Sequence, residues 1–187
     1  MRDTTCISST IYHVNLDSLT KELNPRLEKY IRNTGDEMER TSNIKADMTR
    51  YQTVCPEFTE LHTIINPYIS DLFIDQKPPS KISLIFKETW GALYKKGDYA
   101  IPHHHDPSKL SWIYYVKVSE KSTPLYIHNV VDKGNSNFFR AYYKEETVKI
   151  PPTISDLVVF PSWVEHSVPK QLIEEDRIVV AGNVDVI

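Results

Sequence analysis

The sequence has little cysteine, little glycine and no long apolar run. Of its 187 residues only Cys6 and Cys55 are cysteines, too few for a disulfide framework or a zinc site of paired thiolates. We therefore expect a reducing compartment, and the cytoplasm in particular, since residues 1–16 lack the apolar stretch of a signal peptide. No stretch approaches eighteen consecutive apolar residues, so the sequence predicts no membrane span and no membrane partner.

An excess of positive charge is missing as well. The chain has 22 Lys and Arg against 25 Asp and Glu, and no basic run is longer than Lys95–Lys96. This balance argues against the basic patch of a nucleic-acid-binding protein, so we expect no nucleic-acid partner. The length and the 40% hydrophobic content suit one domain with a sizeable core, and we expect residues 1–187 to form it.

The N-terminal part of the chain, residues 1–80, has helical patterning. Segments 18–33 and 55–73 carry apolar residues at helical spacing, although Pro25 must break or restart the first helix and Pro67 predicts a kink or break in the second. The turn-forming sequence at 75–81 predicts the end of this helical part.

The remaining residues, 81–187, form short segments rich in β-branched and aromatic side chains, separated at close intervals by turn signals. Such a series predicts antiparallel strands and not alternating βαβ units. The predicted fold is therefore mainly β with N-terminal helices. We expect a largely helical support over 1–80 and a double-stranded β-helix, or jelly roll, over 81–187.

A cluster of four side chains, His103, His104, His105 and Asp106, stands in the middle of the chain. Side chains alternate between the two faces of a strand, so His103 pairs with His105 on one face and His104 with Asp106 on the other. Either pair could supply two ligands of a metal, with a third from elsewhere in the fold. Without a metal, the histidines would be solvated and Asp106 would be a turn residue before Pro107.

Two residues of the C-terminal third fit such a site. His166 follows an apolar strand and a proline-bounded turn, and Arg177 opens the last strand in an apolar setting. An arginine in such surroundings needs an anionic ligand or a carboxylate partner. The nearby acidic residues 174–176 offer the second option, an ordinary ion pair.

Taken together, these residues resemble the iron(II)- and 2-oxoglutarate-dependent oxygenases, over roughly residues 82–187. The similarity is to a branch of small oxygenases of marine phages and bacteria. The first block of its pattern reads here Trp90, Gly97-Asp98-Tyr99, Pro102-His103-His104-His105, Pro107-Ser108, Ser111 and Tyr114-Tyr115-Val116. The second block reads "FPSWVEHSVP" with "RIVVAGN", and the family fold is the jelly roll.

The resemblance also implies a ligand set. Prolyl hydroxylases of this superfamily carry Tyr-x-x-Gly and then the first metal histidine six residues after the glycine, which corresponds here to Tyr94, Gly97 and His103. That frame implies His103 and His105 as the first two ligands of Fe(II) and His166 as the third. It also departs from the family, because His105 stands where an Asp or Glu is usual.

For the co-substrate, the resemblance implies that Arg177 pairs with the distal carboxylate of 2-oxoglutarate. A guanidinium can donate two parallel hydrogen bonds to a carboxylate. Tyr115 would add a hydroxyl there, with Tyr94 as a second candidate; core packing is the alternative for both. If Tyr115 faces the barrel interior, so do Ser111 and Ile113. The implied activity is hydroxylation, with O2, of an unidentified peptide side chain, amino acid or small metabolite.

Two other functions stay open at this stage. Three neutral imidazoles resemble the sites of some cupin dioxygenases, which do not use 2-oxoglutarate. A jelly-roll binding module that merely holds a metal through its histidines is the other alternative. The oligomeric state is open too, with a homodimer as one option.

Overall fold

The computed structural model describes residues 11–34, 43–51, 54–72, 83–128 and 147–187. The predicted turn at 75–81 lies outside these ranges. In chain order the elements are β1 (Tyr12–Asn15), α1 (Asp17–Thr20), α2 (Leu23–Thr34), β2 (Ile44–Lys45), β3 (Asp47–Met48), α3 (Pro56–Asp71), β4 (Leu84–Tyr94), β5 (Tyr99–His103), β6 (Leu110–Lys117), β7 (Leu125–Ile127), β8 (Val148–Ile150), β9 (Asp156–Pro161), β10 (His166–Val168) and β11 (Arg177–Val186).

The strands form two antiparallel sheets. The larger has the order β1-β9-β6-β11-β4-β3 and the smaller the order β2-β5-β10-β7-β8. Buried apolar residues of both sheets pack together between them, including Trp90 and Ile113 of the larger sheet and Ile127 and Val168 of the smaller. This mainly β architecture of two packed sheets confirms the predicted jelly roll. No helix within the described ranges is long and apolar enough to cross a bilayer.

The N-terminal part contributes strands as well as helices. β1 pairs with β9 and β3 with β4 in the larger sheet, while β2 pairs with β5 in the smaller. These strands are two to four residues long, which is too short for an alternation pattern to be recognised in the sequence. The single-domain organisation and its division near residue 80 stay a prediction.

The helices cover the outer face of the larger sheet. Apolar residues of α2 and α3, among them Leu27, Ile31 and Leu61, join one buried cluster with Trp112 and Tyr114 of β6. Because neighbouring residues of a strand point to opposite faces, Ile113 and Tyr115 contribute to the cluster between the sheets. The predicted facing of β6 is thereby confirmed.

The two helical prolines have different outcomes. Pro25 lies in the first turn of α2, after a break that separates this helix from α1, so the predicted restart is confirmed. Pro67 lies inside α3; of the predicted kink or break, the break is wrong because the helix continues to Asp71, while the kink stays a prediction. Packing of the buried face of α3 against the sheet stabilises the helix despite the lost hydrogen bond.

Candidate active site

Three histidines meet at one end of the space between the sheets. His103 ends β5 and His166 begins β10, and the two are paired in the antiparallel register. Their ring centroids lie 4.3 Å apart, and the ring of His105 lies 5.0 Å from that of His103 and 5.1 Å from that of His166. One ring nitrogen from each residue lies within 4.8 Å of the other two. A single metal ion needs this kind of convergence.

Backbone carbonyls orient two of the three rings. Nδ1 of His103 lies 2.7 Å from the carbonyl oxygen of Ile101, and Nδ1 of His166 lies 3.2 Å from that of Val164. A carbonyl oxygen can only accept a hydrogen bond, so each Nδ1 carries the proton and donates it. Nε2 therefore keeps its lone pair, which is the tautomer that a metal ligand requires.

The three imidazoles are uncharged in the folded protein at neutral pH. Burial lowers the pKa of His105 from 6.5 to about 4, with a further contribution from the neighbouring histidines. Burial also lowers the pKa of His103 and, to well below its ordinary value, that of His166. A metal therefore need not displace protons from these ligands near pH 7.

The alternative pair points away from this cluster. The side chains of His104 and Asp106 are 57% and 53% exposed, and His104 Nδ1 lies 3.6 Å from Asp106 Oδ2. In the part of the chain that the structure describes, the histidine cluster contains no carboxylate. The structure thus brings together the three predicted side chains, while their role as ligands stays a prediction.

Arg177 lies deep in the same space, and no acidic side chain among the described residues pairs with it. It is 1% exposed and opens β11 opposite Tyr94. Its Nη1 donates to the carbonyl oxygen of Thr123 at 3.2 Å, whereas its Nε has no hydrogen-bond partner among the described residues. Two of the three nearby acidic side chains bind elsewhere, Glu174 to Lys96 and Asp176 to Arg32. A buried guanidinium with open donors is suited to an anion.

Two tyrosines flank the guanidinium. The carbon at its centre lies 5.4 Å from the ring centroid of Tyr94 and 5.3 Å from that of Tyr115. Burial raises the pKa of Tyr94 to about 12 and that of Tyr115 above its ordinary value, so both remain neutral phenols. The hydroxyl of Tyr115 has no hydrogen-bond partner among the described residues. Both rings also belong to the core, so packing and anion binding are compatible roles.

One cavity connects the histidines with the arginine. Its walls include His103, His105, His166, Tyr94 and Arg177, and most of the remaining walls are apolar. The apolar lining comes from Ile44, Trp90, Ala100, Ile113, Phe160, Val168, Val179 and Ala181. The arrangement can hold a metal ion at the histidines and an anionic group at Arg177, in surroundings that strengthen electrostatic attraction.

Residues 88–183, more than half of the chain, match the family model of the 2OG-Fe(II) oxygenases. The chain therefore belongs to this family, whose members depend on Fe(II) and 2-oxoglutarate, and its enzymatic class is that of a dioxygenase. The resemblance predicted from the sequence is confirmed at the level of the family. No sequence among the curated proteins matches the chain.

Solved structures share the fold at low sequence identity. A prolyl-4-hydroxylase from Pseudomonas putida superposes with a TM-score of 0.68 at 15% identity, over 95% of this chain and 93% of that one. A prolyl hydroxylase from Trichoplax adhaerens, in complex with a hypoxia inducible factor peptide fragment, has a TM-score of 0.65 at 16% identity, over 94% of this chain and 83% of that one. HygX from Streptomyces hygroscopicus, with nickel and 2-oxoglutarate bound, has a TM-score of 0.62 at 11% identity, over 95% of this chain and 83% of that one.

Sequence reasoning missed the surroundings of the histidines. The ring of Trp90 lies 5.7 Å from that of His105, and the ring of Phe160 lies 4.7 Å from that of His166. Trp90 belongs to the sequence pattern but was not assigned to the site; alternation could have placed it there, because it stands four residues before Tyr94 on the same strand face. Phe160 offered no such signal, since β9 is apolar on both faces.

Proposed function

We propose that this oxygenase is a hydroxylase in which His103, His105 and His166 hold Fe(II) and Arg177 binds the far carboxylate of 2-oxoglutarate. Tyr115 and Tyr94 would complete the carboxylate site. The observation that carries the proposal is one cavity lined both by three converging, uncharged imidazoles and by a buried arginine that no acidic side chain of the described residues pairs with.

The donor set fits iron. Imidazole nitrogens suit Fe(II), and three of them on one side of the ion would leave further coordination positions for a chelating co-substrate and O2. When bound, Fe(II) and 2-oxoglutarate supply the oxidation: O2 converts 2-oxoglutarate to succinate and CO2, and its second oxygen atom enters a C–H bond of the substrate. The residues of this chain bind and orient both partners and exclude water from the cavity.

The replacement of the usual carboxylate by His105 has an electrostatic consequence. Three neutral ligands leave the full double positive charge on the metal, so an anionic co-substrate should bind more favourably. The same charge makes oxidation of the iron harder. A three-histidine dioxygenase that needs no 2-oxoglutarate remains the alternative, but it would leave the open donors of Arg177 without a ligand.

The proposed substrate class comes from the solved structures that share the fold. The prolyl hydroxylases with this fold include one solved with a peptide, and HygX has also been solved with hygromycin B bound. These relatives support a substrate with an accessible C–H bond, either a peptide side chain or a small molecule such as an amino acid. We also propose a cytoplasmic location, on the cysteine content, and no nucleic-acid partner, on the charge balance.

Anaerobic loading with Fe(II), followed by addition of 2-oxoglutarate, tests the proposal directly. We expect a weak visible charge-transfer band in the wild-type protein, its loss in His103→Ala, and much weaker co-substrate binding in Arg177→Ala. A protein that binds iron but shows neither the band nor calorimetric binding of 2-oxoglutarate would fit the three-histidine alternative. A metal without open coordination positions would support the binding module.

A further inference from the structure

His105 is held differently from the other two histidines. β5 ends at His103, so His105 lies beyond the regular strand pairing, and its ring makes no hydrogen bond to any described residue. The backbone N–H of His105 instead donates to the carbonyl oxygen of Ser162 at 2.8 Å. The N–H of Ser162 in turn donates to the carbonyl oxygen of Lys109 at 3.1 Å. Ser162 therefore fixes the loop that carries His105.

A chain of side-chain hydrogen bonds begins at Ser162. Its Oγ lies 2.8 Å from Oγ of Ser111, which lies 2.9 Å from Oδ1 of Asn183, and Nδ2 of Asn183 lies 2.7 Å from Oε2 of Glu88. Ser162, Ser111 and Asn183 are each at most 2% exposed. Buried polar groups of this kind are costly unless every one is satisfied.

The direction of these bonds follows from chemistry. A carboxylate only accepts, so the amide nitrogen of Asn183 donates to Glu88. The amide oxygen of Asn183 then accepts from the hydroxyl of Ser111, which leaves the oxygen of Ser111 to accept from Ser162. All donors therefore point along one line towards Glu88, and such aligned bonds strengthen one another.

The chain is anchored in the centre of the larger sheet. Asn183 of β11 stands opposite both Glu88 of β4 and Ser111 of β6 in the strand register. These three strands form the middle of that sheet. The hydrogen-bonded chain thus connects the rigid centre of the fold to the loop of His105, and Ser111 also lines the cavity of the histidines.

We infer that Ser162, Ser111 and Asn183, with Glu88 as the terminal acceptor, are positioning residues for His105. The inference rests on the proposed role of His105 as a metal ligand. Packing alone would be served by apolar residues of similar volume, so the polar chain is best explained by the exact placement of the loop. Without it, His105, whose ring makes no hydrogen bond to a described residue, would move relative to the other two histidines.

The test uses Ser111→Ala and Ser162→Ala, both of which remove a hydroxyl without adding volume. Ser122→Ala is the matched control, since Ser122 is also buried and accepts hydrogen bonds from Ser119 N–H and the Gln171 side chain. Co(II) serves as the probe, because its visible spectrum reports coordination geometry. We expect both test variants to bind Co(II) about tenfold more weakly, as loss of outer ligand support usually does, and with an altered spectrum.

A metal-free readout accompanies the titration. In chelator-treated protein, amide hydrogen exchange of His105 should be at least about tenfold faster in Ser111→Ala and Ser162→Ala, with His166 unchanged. Wild-type affinity, spectrum and exchange in both variants would overturn the inference, provided that His105→Ala loses Co(II). If His105→Ala binds Co(II) as tightly as wild type, the proposed ligand set itself is wrong. In Ser122→Ala we expect all three readouts to stay at wild-type values.

Discussion

His103 lies directly opposite His166 in the antiparallel pairing of β5 and β10, with 4.3 Å between the ring centroids. Residues paired across two strands project from the same face of the sheet and lie within side-chain contact. The register of the smaller sheet therefore brings together two histidines that are far apart in sequence. His105 follows the end of β5 by two residues and joins them where its backbone N–H donates to the carbonyl oxygen of Ser162.

The first prediction concerns the metal. His103→Ala and His166→Ala should each lower the affinity for Fe(II) or Co(II) by at least tenfold. Even mutation of a residue that only hydrogen-bonds to a metal ligand usually lowers metal affinity about 10–100-fold. Metal content after anaerobic loading and desalting measures the effect. His104→Ala is the control, since that side chain is half exposed and faces Asp106. Unchanged metal content in both test variants would contradict the site.

The second prediction concerns Arg177. Loss of a charge-assisted, two-point contact costs roughly 2–5 kcal/mol, so Arg177→Ala should weaken 2-oxoglutarate binding at least tenfold while metal content stays near wild type. Arg177→Lys should recover only part of the loss, since an ammonium lacks the planar fork. Calorimetry on the anaerobic Fe(II) protein measures both. Wild-type affinity in Arg177→Ala would make the arginine purely structural.

How far the sequence could predict this molecule differs between its parts. Alternation along β6 was a local signal, and it agrees with the distribution of the β6 side chains over two buried clusters. The choice of His103 and His105 depended instead on the spacing from Gly97 that the family resemblance supplied. The strands of the N-terminal part were not predictable, because a pairing such as β2 with β5 depends on tertiary contact and not on local pattern. The hydrogen bonds of Ser162 were invisible for the same reason.

The third prediction concerns stability and pH. His62 of α3 stacks on Phe86 at 4.2 Å, and burial lowers its pKa from 6.5 to about 4. Between these values the unfolded chain binds a proton that the folded protein does not. The free energy of unfolding should therefore decrease as the pH falls from about 6.5 to 4, by up to about 3 kcal/mol from this group.

Urea unfolding of metal-free protein across this pH range measures the decrease. His62→Gln should reduce it, because glutamine can still bond the hydroxyl of Thr89, which lies 2.9 Å from His62 Nε2, but does not titrate. The buried site histidines contribute in the same direction, so a smaller slope should remain. If the free energy of unfolding decreases equally steeply with falling pH in wild type and His62→Gln, His62 does not contribute to the pH dependence.

The fourth prediction concerns the contact between the helical layer and the sheet. A Cβ atom on Gly91 of β4 would overlap the side chain of Ile31, which is fully buried in α2. Gly91→Ala should therefore destabilise the fold by roughly 1–3 kcal/mol. Urea unfolding measures the effect. The double variant Gly91→Ala with Ile31→Ala should lose less stability than the sum of the two single losses, by about 1 kcal/mol or more. Strict additivity would contradict this contact.

The last prediction concerns His105, which stands where the family usually has a carboxylate. His105→Asp would place a carboxylate where the family usually has one and would cancel one positive charge beside the metal. A unit charge at about 4 Å changes an interaction by up to roughly 4 kcal/mol at an effective dielectric constant of 20, so 2-oxoglutarate should bind at least tenfold more weakly. The bound iron should also become easier to oxidise, so its measured reduction potential should be lower than in the wild type. Metal content should survive in His105→Asp and fall in His105→Ala.

Calorimetry with 2-oxoglutarate and a mediated redox titration of the iron measure the two effects separately. His104→Asp is the matched control, because it introduces the same charge one residue away on the exposed side of the loop. If His105→Asp keeps its metal but binds 2-oxoglutarate as tightly as wild type, the neutral ligand set does not govern co-substrate affinity. If instead the potential alone falls, the imidazole of His105 sets the redox behaviour of the iron and Arg177 dominates the binding of the dicarboxylate.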